Sequence, residues 1–292
     1  MPNKIISIIG KPNVGKSSLF NLISGNHIAA ETSKPHTTRH LIDSNISIND
    51  NKITLFDTPG INFKDRKIFN RNLNKNALST IDFSNIILHI VSIKGIKKED
   101  NDINLNIKDI EAKKFLLINK IDLFSNRKDL AEYIASIPEN FSSSYHEIIP
   151  ISIKKNKNIK ELISLIDSNL TGQKNNTSFS SYIPKDRNFY IEEYIREASI
   201  NFLNLEIPYN IHINLEKIHE RKNNFFISAE IITNKKSHMN IIIGKRASML
   251  KKINIYARKL IKAYLKKDIF LELVVRYKEN WKEAKDFLDT YK

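Results

Sequence analysis

Residues 10–17, Gly-Lys-Pro-Asn-Val-Gly-Lys-Ser, decide the fold of this chain. They contain two glycines separated by four residues and followed by lysine and serine. The stretch lies between the apolar run 4–9 and a helical pattern over 16–24. The glycines let such a loop wrap a chain of phosphates with its backbone N–H groups. The lysine then reaches the terminal phosphates, and the serine hydroxyl binds Mg²⁺. The stretch predicts a strand, a phosphate-binding loop and a helix, the opening of an α/β domain.

Outward from this loop, residues 1–170 alternate short apolar runs with helical patterns. Strands interleaved with helices indicate βαβ units and a mostly parallel sheet covered on both faces. Ligands of such sheets bind at the carboxyl ends of the strands. The predicted strands are 4–9, 42–48, 53–57, 86–92, 114–119 and 148–152, and the predicted helices include 16–24, 128–135 and 158–169.

The composition excludes several classes of protein. A chain of 292 residues is long enough for two compact domains. It contains no run of about 18 apolar residues and no signal-peptide pattern, so we expect a cytoplasmic protein. Cysteine is absent, which excludes disulfides, thiolate metal sites and cysteine nucleophiles. The net charge of +15 indicates a polyanionic partner, either nucleic acid or an anionic membrane face.

Two further motifs end predicted strands and identify the nucleotide. Residues 57–60 read Asp-Thr-Pro-Gly: the aspartate can hold magnesium through water, and the N–H of Gly60 can sense the γ-phosphate. Residues 119–122 read Asn-Lys-Ile-Asp and resemble the guanine-specificity motif, whose carboxylate accepts from N1–H and the 2-amino group of the base. Adenine lacks that donor pair, so a carboxylate there rejects it. Three motifs in this order predict a guanine-nucleotide site.

The region between the first two motifs supplies a candidate switch loop. Thr37 and Thr38 lie where a hydroxyl can join Mg²⁺ only when the γ-phosphate is present, which orders the loop. The sequence does not choose between the two threonines. The predicted magnesium set is Ser17, Asp57 and Thr38, with Thr37 as the alternative to Thr38.

The sequence shows no obvious side chain to orient the water that attacks the nucleotide. Ras-like enzymes orient the attacking water with a glutamine after the glycine of their third motif. Here that position is Ile61, which cannot hydrogen-bond to water. The predicted catalytic set is therefore Lys16, Thr38 and Gly60, acting with Mg²⁺. We expect a slow intrinsic rate that a partner raises.

The last nucleotide motif is degenerate. Ser152 and Ile153 stand where related proteins have Ser-Ala-Lys, whose backbone contacts guanine. The isoleucine adds bulk but is expected to leave the backbone donors available. The predicted nucleotide-binding residues are Gly10, Lys11, Pro12, Asn13, Val14, Gly15, Lys16, Ser17, Ser18, Asp57, Thr58, Pro59, Gly60, Ile61, Asn119, Lys120, Asp122, Ser152 and Ile153.

The pattern changes after residue 170. Residues 171–181 are small, polar and aperiodic, which predicts a linker over 171–182. Residues 183–292 predict a smaller α+β domain. Its predicted helices are 190–202 and 247–265, and its predicted strands are 209–216, 225–233 and 269–277.

A basic stretch in this second domain predicts contact with RNA. Residues 235–267 contain 11 Lys or Arg and no Asp or Glu. Within them, residues 244–247 (Gly-Lys-Arg-Ala) follow an apolar strand or helix and resemble the GxxG loop of KH domains, where a single-stranded backbone approaches closely. Ala247 replaces the second glycine, and its methyl group penalises positive φ. The predicted RNA-binding residues are Ile243, Gly244, Lys245, Arg246, Ala247, Lys251 and Lys252, with Arg258, Lys259 and Lys262 as further candidates along the RNA path.

Together these motifs resemble the Era family of bacterial ribosome-assembly GTPases over nearly the whole chain. The resemblance implies a P-loop GTPase domain over 1–170 and a type II KH-like domain over 183–292. It implies GTP or GDP and Mg²⁺ as ligands. For Asn13 two roles stay open: binding of a potassium ion near the phosphates, or a structural role in the tight loop. It also implies that the protein is a monomer that binds 16S ribosomal RNA near its 3′ end and assists assembly of the 30S subunit. Loose contact with the cytoplasmic face of the inner membrane is implied as well.

Two other functions compete with this interpretation. The first is a nucleotide-gated RNA chaperone with little turnover, favoured by Ile61, Ile153 and Ala247. The second is a GTPase that acts on transfer RNA or a membrane partner. Relatives that modify transfer RNA place the GTPase domain inside other domains and carry a reactive C-terminal cysteine, whereas this chain starts with that domain and has no cysteine.

Overall fold

The computed structural model describes residues 3–32, 34, 38, 40–60, 80–170 and 186–279. The chain groups into two compact units. One unit takes Met1–Gly25 and Thr38–Pro184, and the other takes Asn26–Thr37 and Lys185–Lys292. Residues 26–37 thus group with the second unit, although the sequence places them between two nucleotide motifs. The predicted linker over 171–182 lies outside the described residues.

The first unit is an α/β sandwich around one six-stranded sheet in the order β2-β3-β1-β4-β5-β6. Strands β2 and β3 pair antiparallel, and the other pairs are parallel. Its strands are β1 Lys4–Ile9, β2 Ile42–Ile48, β3 Asn51–Asp57, β4 Ile86–Ser92, β5 Lys113–Asn119 and β6 Glu147–Ile151. Its helices are α1 Lys16–Ser24, α2 Lys98–Ile107, α3 Arg127–Ala135, α4 Glu139–Ser142 and α5 Ile159–Leu170.

The central strands are buried along nearly their whole length because both faces of a parallel sheet are covered. Every residue of β1 is buried, and so are the first six of β4. On one face, Ile87, Val91 and Leu116 pack with Ile103 and Phe141, which α2 and α4 supply. This packing supports the carboxyl ends of β1 and β5, from which the first and third nucleotide motifs emerge.

The predicted fold class is confirmed for this unit, with strand bounds that differ by at most two residues where they differ at all. Helices α2 and α4 were not predicted. The sequence of α2, Lys-Glu-Asp-Asn-Asp-Ile-Asn-Leu-Asn-Ile, is polar enough to be taken for a loop. Only Ile103 and Ile107 mark its buried face, together with Asp100 and Asn104.

The second unit carries a three-stranded sheet in the order β7-β8-β9. Strands β7 and β8 are antiparallel, and β8 and β9 are parallel, joined by a crossover of two helices. Its helices are α6 Arg187–Phe202, α7 Lys236–Ile243 and α8 Ser248–Leu265, and its strands are β7 Ile211–Glu220, β8 Asn224–Thr233 and β9 Asp268–Tyr277.

Helix α8 packs on α6 and β9 through the buried residues Ile253, Ala257 and Ile261. The alternating exposure of β9 places one of its faces against the helices. The apolar segment before the glycine loop is the helix α7, which settles the choice between strand and helix. Within the described residues, the longest apolar helical stretches fall short of what crossing a bilayer requires.

Candidate nucleotide site and RNA-facing loop

The phosphate-binding loop follows β1 and depends on two glycines. Gly10 has φ 144°, and a Cβ there would lie 2.5 Å from the carbonyl oxygen of Ile90. Gly15 has φ 110°, and a Cβ there would lie 2.4 Å from Asn119 Nδ2. Both positions therefore exclude a side chain by conformation and by space. The loop backbone is held close to β4 and to the end of β5.

Lys16, in the first turn of α1, is buried with 6% of its surface exposed. Its Nζ donates to the carbonyl oxygen of Lys11 at 2.9 Å. Burial lowers the pKa of this ammonium to about 8, with Asp57 acting in the opposite direction. A bound phosphate chain would supply the negative charge that the ammonium otherwise lacks.

Three hydroxyl and carboxylate oxygens converge next to this lysine. Ser17 Oγ lies 2.6 Å from Asp57 Oδ2 and 2.9 Å from Thr38 Oγ1. Thr38 Oγ1 lies 3.4 Å from the same carboxylate oxygen. Hard oxygen donors in a set of this kind suit Mg²⁺, so the residues fit the metal that the sequence implies. Thr38 is placed with the set, and Thr37 lies outside the described residues.

The residues after Asp57 close one side of the loop. The Thr58 hydroxyl donates to the carbonyl oxygen of Ile8 at 2.8 Å, so this side chain is engaged within the sheet rather than turned to a ligand. Gly60 approaches Pro12 so closely that a Cβ on the glycine would lie 2.8 Å from Pro12 Cγ. Ile61 lies outside the described residues.

Asn119 joins three nucleotide motifs. Its Nδ2 donates to the carbonyl oxygen of Val14 at 2.8 Å, and its Oδ1 accepts from the N–H of Lys120 at 2.8 Å. The same Oδ1 accepts from the N–H of Ile153 at 3.3 Å. The N–H of Ile153 thus contacts Asn119, and the expectation that the backbone donors of this motif serve guanine stays a prediction. Lys120 Nζ donates to the carbonyl oxygen of Asn13 at 3.1 Å.

Asp122 is oriented by the last motif. Ser152 Oγ donates to Asp122 Oδ1 at 2.5 Å and accepts from the N–H of Lys155 at 3.1 Å. The hydrogen bond from Ser152 is the main reason that the pKa of Asp122 lies below its usual range. The carboxylate is thus kept ionised, the form that accepts from guanine.

The loop at Gly244, which the sequence predicts to contact RNA, has an unusual backbone. Gly244, which ends α7, has φ 74°, and a Cβ there would lie 2.8 Å from Met249 Cβ. Arg246 and Ala247 follow with φ 52° and 59°, both in the left-handed region. The N–H of Ala247 donates to the carbonyl oxygen of Gly244 at 3.0 Å, which closes the loop.

The basic side chains beside the loop divide into two groups. Lys245, Arg246, Lys251 and Lys252 are exposed around the loop and the first turn of α8. Further along α8, Arg258 Nε donates to the carbonyl oxygen of Ile269 at 3.1 Å. Lys262 pairs with Asp268 at 2.6 Å. The second group therefore has partners within the fold, whereas the first is presented around the glycine.

Comparison with known proteins supports a GTPase domain followed by a KH domain. A family model described as 50S ribosome-binding GTPase matches residues 5–120, and a model described as KH domain matches residues 206–282. GTPase Era of Clostridium kluyveri is 34% identical over 282 residues, which cover 96% of this chain and 94% of that protein. GTPase Era of Trichlorobacter lovleyi is 35% identical over 285 residues, covering 95% and 93%.

This chain belongs to the Era family of GTPases.

Two solved Era structures share the whole fold. One is Era in complex with MgGDPNP and nucleotides 1506–1542 of 16S ribosomal RNA, with a TM-score of 0.88, 27% identity and coverage of 100% of this chain and 98% of that one. The other is a variant of Aquifex aeolicus Era bound to GDP·AlF4⁻, also with a TM-score of 0.88, with 28% identity and coverage of 100% and 99%. The predicted GTPase and KH domains are thus confirmed as the architecture of an Era protein.

Sequence reasoning missed two parts of this Era-type site. Lys11 was expected near the nucleotide, but its ammonium pairs with Asp100 on α2 at 2.6 Å. The second omission is the left-handed conformation of Arg246, since the sequence drew attention to positive φ only at Ala247. No local sequence pattern signals a pairing of residues so far apart along the chain.

Proposed function

We propose that this Era-family GTPase binds the 3′ region of 16S ribosomal RNA through its KH domain and assists maturation of the 30S subunit, with GTP hydrolysis as its switch. One observation carries the proposal: a set of guanine-nucleotide motifs and a glycine loop with exposed basic side chains occur in a single chain. The relative crystallised with 16S ribosomal RNA matches both parts of that chain.

The nucleotide half uses side chains that already lie together. Gly10, Gly15 and the loop between them would wrap the phosphates, and Lys16 would turn from the Lys11 carbonyl to the terminal phosphates. Ser17, Thr38 and Asp57 would hold Mg²⁺, which neutralises charge developing on the γ-phosphate. Asp122, oriented by Ser152, selects guanine.

Hydrolysis would proceed without a side-chain base at Ile61. Lys16 stabilises charge on the transferred group, and the N–H of Gly60 contacts the γ-phosphate. Thr38 closes the site when GTP is bound. A slow intrinsic rate follows, because the attacking water is oriented by no glutamine.

The RNA half depends on the loop at Gly244. The absence of a side chain there lets a single-stranded backbone approach, and the exposed Lys245 and Arg246 meet its phosphates. Ile243 and the first turns of α8, with Lys251 and Lys252, border the loop. The backbone supplies the close approach, and the charges supply most of the affinity.

Three finer assignments accompany this function. A potassium ion near Asn13 is supported by the exposed, left-handed position of that residue in the phosphate loop. Loose contact with an anionic membrane face is supported by the net charge of +15. We take the protein to be a monomer. Replacing potassium by sodium in a GTPase assay tests the first, and vesicle co-sedimentation at rising salt tests the second.

The experiment that tests the main proposal measures binding of a short RNA copying the 3′ end of 16S ribosomal RNA, across a salt series. We expect tight binding that prefers this sequence over a scrambled one. Lys245→Glu should weaken it, whereas Lys160→Glu, a matched charge reversal on α5, should not. Equal binding of both RNAs with a steep salt slope would reduce the RNA role to generic charge.

Turnover separates the proposal from the nucleotide-gated chaperone. We expect several molecules of GTP hydrolysed per protein, faster with the specific RNA or with 30S subunits. A single turnover with unchanged RNA binding would favour the chaperone instead. Footprints on transfer RNA rather than on 16S RNA would favour the third function.

A further inference from the structure

A side chain of the phosphate-binding loop is tied to a helix far along the chain. Lys11 Nζ lies 2.6 Å from Asp100 Oδ2. The same oxygen accepts from the N–H of Lys97 at 2.8 Å, so Asp100 also caps the first turn of α2. The Asp100 side chain has no exposed surface, and 17% of the Lys11 side chain is exposed. The two residues form a buried ion pair between the loop and α2.

The stability of the fold does not by itself explain this pair. Removing two charges from water costs about as much as their attraction returns, so an apolar pair of similar size serves a core as well or better. Asp100 Oδ1 adds to the cost, because it is buried and has no hydrogen-bond partner in the part of the chain that the structure describes. Burial raises the pKa of this carboxyl against the opposing effect of Lys11.

Lys11 connects Asp100 to Lys16, the lysine that is predicted to bind the terminal phosphates. Its carbonyl oxygen accepts from Lys16 Nζ at 2.9 Å, so the residue held by Asp100 also holds that ammonium beside the loop before a nucleotide binds. The preceding Gly10 is fixed against Ile90. A shift of Lys11 would therefore rotate the peptide groups of the phosphate-binding loop. The N–H groups of these peptides must face the phosphates.

We propose that Asp100 is a positioning residue for nucleotide binding: acting through Lys11, it holds the phosphate-binding loop in the conformation that receives the phosphates. This inference rests on the guanine-nucleotide function proposed above and adds a residue outside all the nucleotide motifs. Asp100 contacts no reacting atom in this role. Its effect reaches the nucleotide through the loop backbone.

The test compares the full-length protein with the double variant Lys11→Met/Asp100→Asn. This variant removes both charges, while the amide can still accept from the N–H of Lys97. We expect the thermal unfolding midpoint of the nucleotide-free protein to stay unchanged. Binding of fluorescent GDP should weaken roughly tenfold, because a loop left unsupported misplaces its N–H groups. KM for GTP should rise with it, with kcat at saturating GTP unchanged.

Two further variants make the result decisive. Lys11→Arg keeps the ion pair and should lose much less GDP affinity than the double variant does. Ile107→Val removes a buried methyl group from the same helix and should lower the unfolding midpoint without weakening GDP binding. If the double variant binds GDP as the wild type does, or if Ile107→Val weakens binding equally, Asp100 has no positioning role. If the wild type itself fails to bind GDP, the proposed function fails instead.

Discussion

At the scale of single residues, Ala247 has a strained backbone conformation. It has φ 59° and ψ 23°, a conformation that costs an L residue with a Cβ about 1 kcal/mol or more. Ala247→Gly removes that cost, and the greater freedom of glycine in the unfolded chain offsets part of the gain. We expect a rise of about 0.5–1 kcal/mol in the free energy of unfolding of the second unit, measured by urea denaturation.

The same substitution should also strengthen RNA binding, because a second glycine lets the nucleic-acid backbone approach more closely. Ala257→Gly is the matched control, since Ala257 lies in the interior of α8 and is buried. There the change should destabilise the protein by about 1 kcal/mol. A loss of stability on Ala247→Gly would contradict the left-handed conformation of this loop.

Glu192 on α6 makes stability depend on pH. Burial raises the pKa of its carboxyl from 4.5 to about 7, against a hydrogen bond from the N–H of Leu215 at 3.0 Å. Because the folded-state pKa lies above the unfolded value, the favourable contribution is complete below pH 4.5 and is lost as pH rises through 7. Glu192→Gln removes the charge and keeps the acceptor. It should stabilise the protein by roughly 3 kcal/mol at pH 8 and leave it unchanged near pH 4.

Thermal melts across this pH range check the effect. Glu220→Gln is the control, because pairing with Lys267 and Arg187 holds the pKa of Glu220 below its usual range. That substitution should bring no gain at pH 8. A gain from Glu192→Gln that is equal at both ends of the pH range would show that charge is not the cause.

At the scale of elements, helix α6 begins at a side-chain cap. Asp186 Oδ1 accepts from the N–H of Phe189 at 2.9 Å, in the first turn of the helix. Asp186→Ala should lower the free energy of unfolding of the second unit by about 1 kcal/mol, since it leaves that donor without the cap. Asp186→Ser keeps an acceptor and should cost much less. Equal losses in the two variants, measured by denaturant unfolding, would show that the cap contributes nothing.

Helices and strands with a clear pattern of apolar residues could be predicted from the sequence, and the other elements could not. The bounds of β1, β2, β4 and α1 follow from apolar runs that glycines or polar residues interrupt. Helix α2 was missed because two of its buried positions, Asp100 and Asn104, are polar. Their burial depends on Lys11 and on the carbonyl oxygen of Phe141, contacts between segments that no local pattern reveals.

The candidate site divides in the same way. Spacing predicted that Ser17 and Asp57 meet, because a loop and a strand end at the same edge of a parallel sheet. The hydrogen bond from the N–H of Ile153 to Asn119 could not be predicted, since it depends on the path of a degenerate loop. The left-handed conformation of Arg246 and Ala247 could not be predicted either, because arginine and alanine usually avoid it.

At the scale of the whole molecule, the chain combines a nucleotide switch with an RNA-binding unit, and we expect the two to be thermodynamically linked. A ligand shifts an equilibrium only by its different affinities for the two states. Thr38, 2.9 Å from Ser17, would join Mg²⁺ only when the γ-phosphate is present, so the GTP and GDP states differ at this residue. RNA affinity should therefore differ between the GTP-analogue and GDP states, by roughly 5-fold or more if the coupling is of typical size.

Reciprocity makes this prediction testable from both sides. If the GTP analogue changes RNA affinity by some factor, RNA must change affinity for the analogue by the same factor. Titrating RNA into each nucleotide state, and nucleotide into the RNA complex, measures both. Thr38→Ala removes the hydroxyl that would distinguish the states, so it should bring the two RNA affinities together while leaving the GDP-state value unchanged. Identical RNA affinity in the GTP-analogue, GDP and nucleotide-free states of the wild type would mean that nucleotide binding and RNA binding are independent. The nucleotide would then control a property other than RNA affinity.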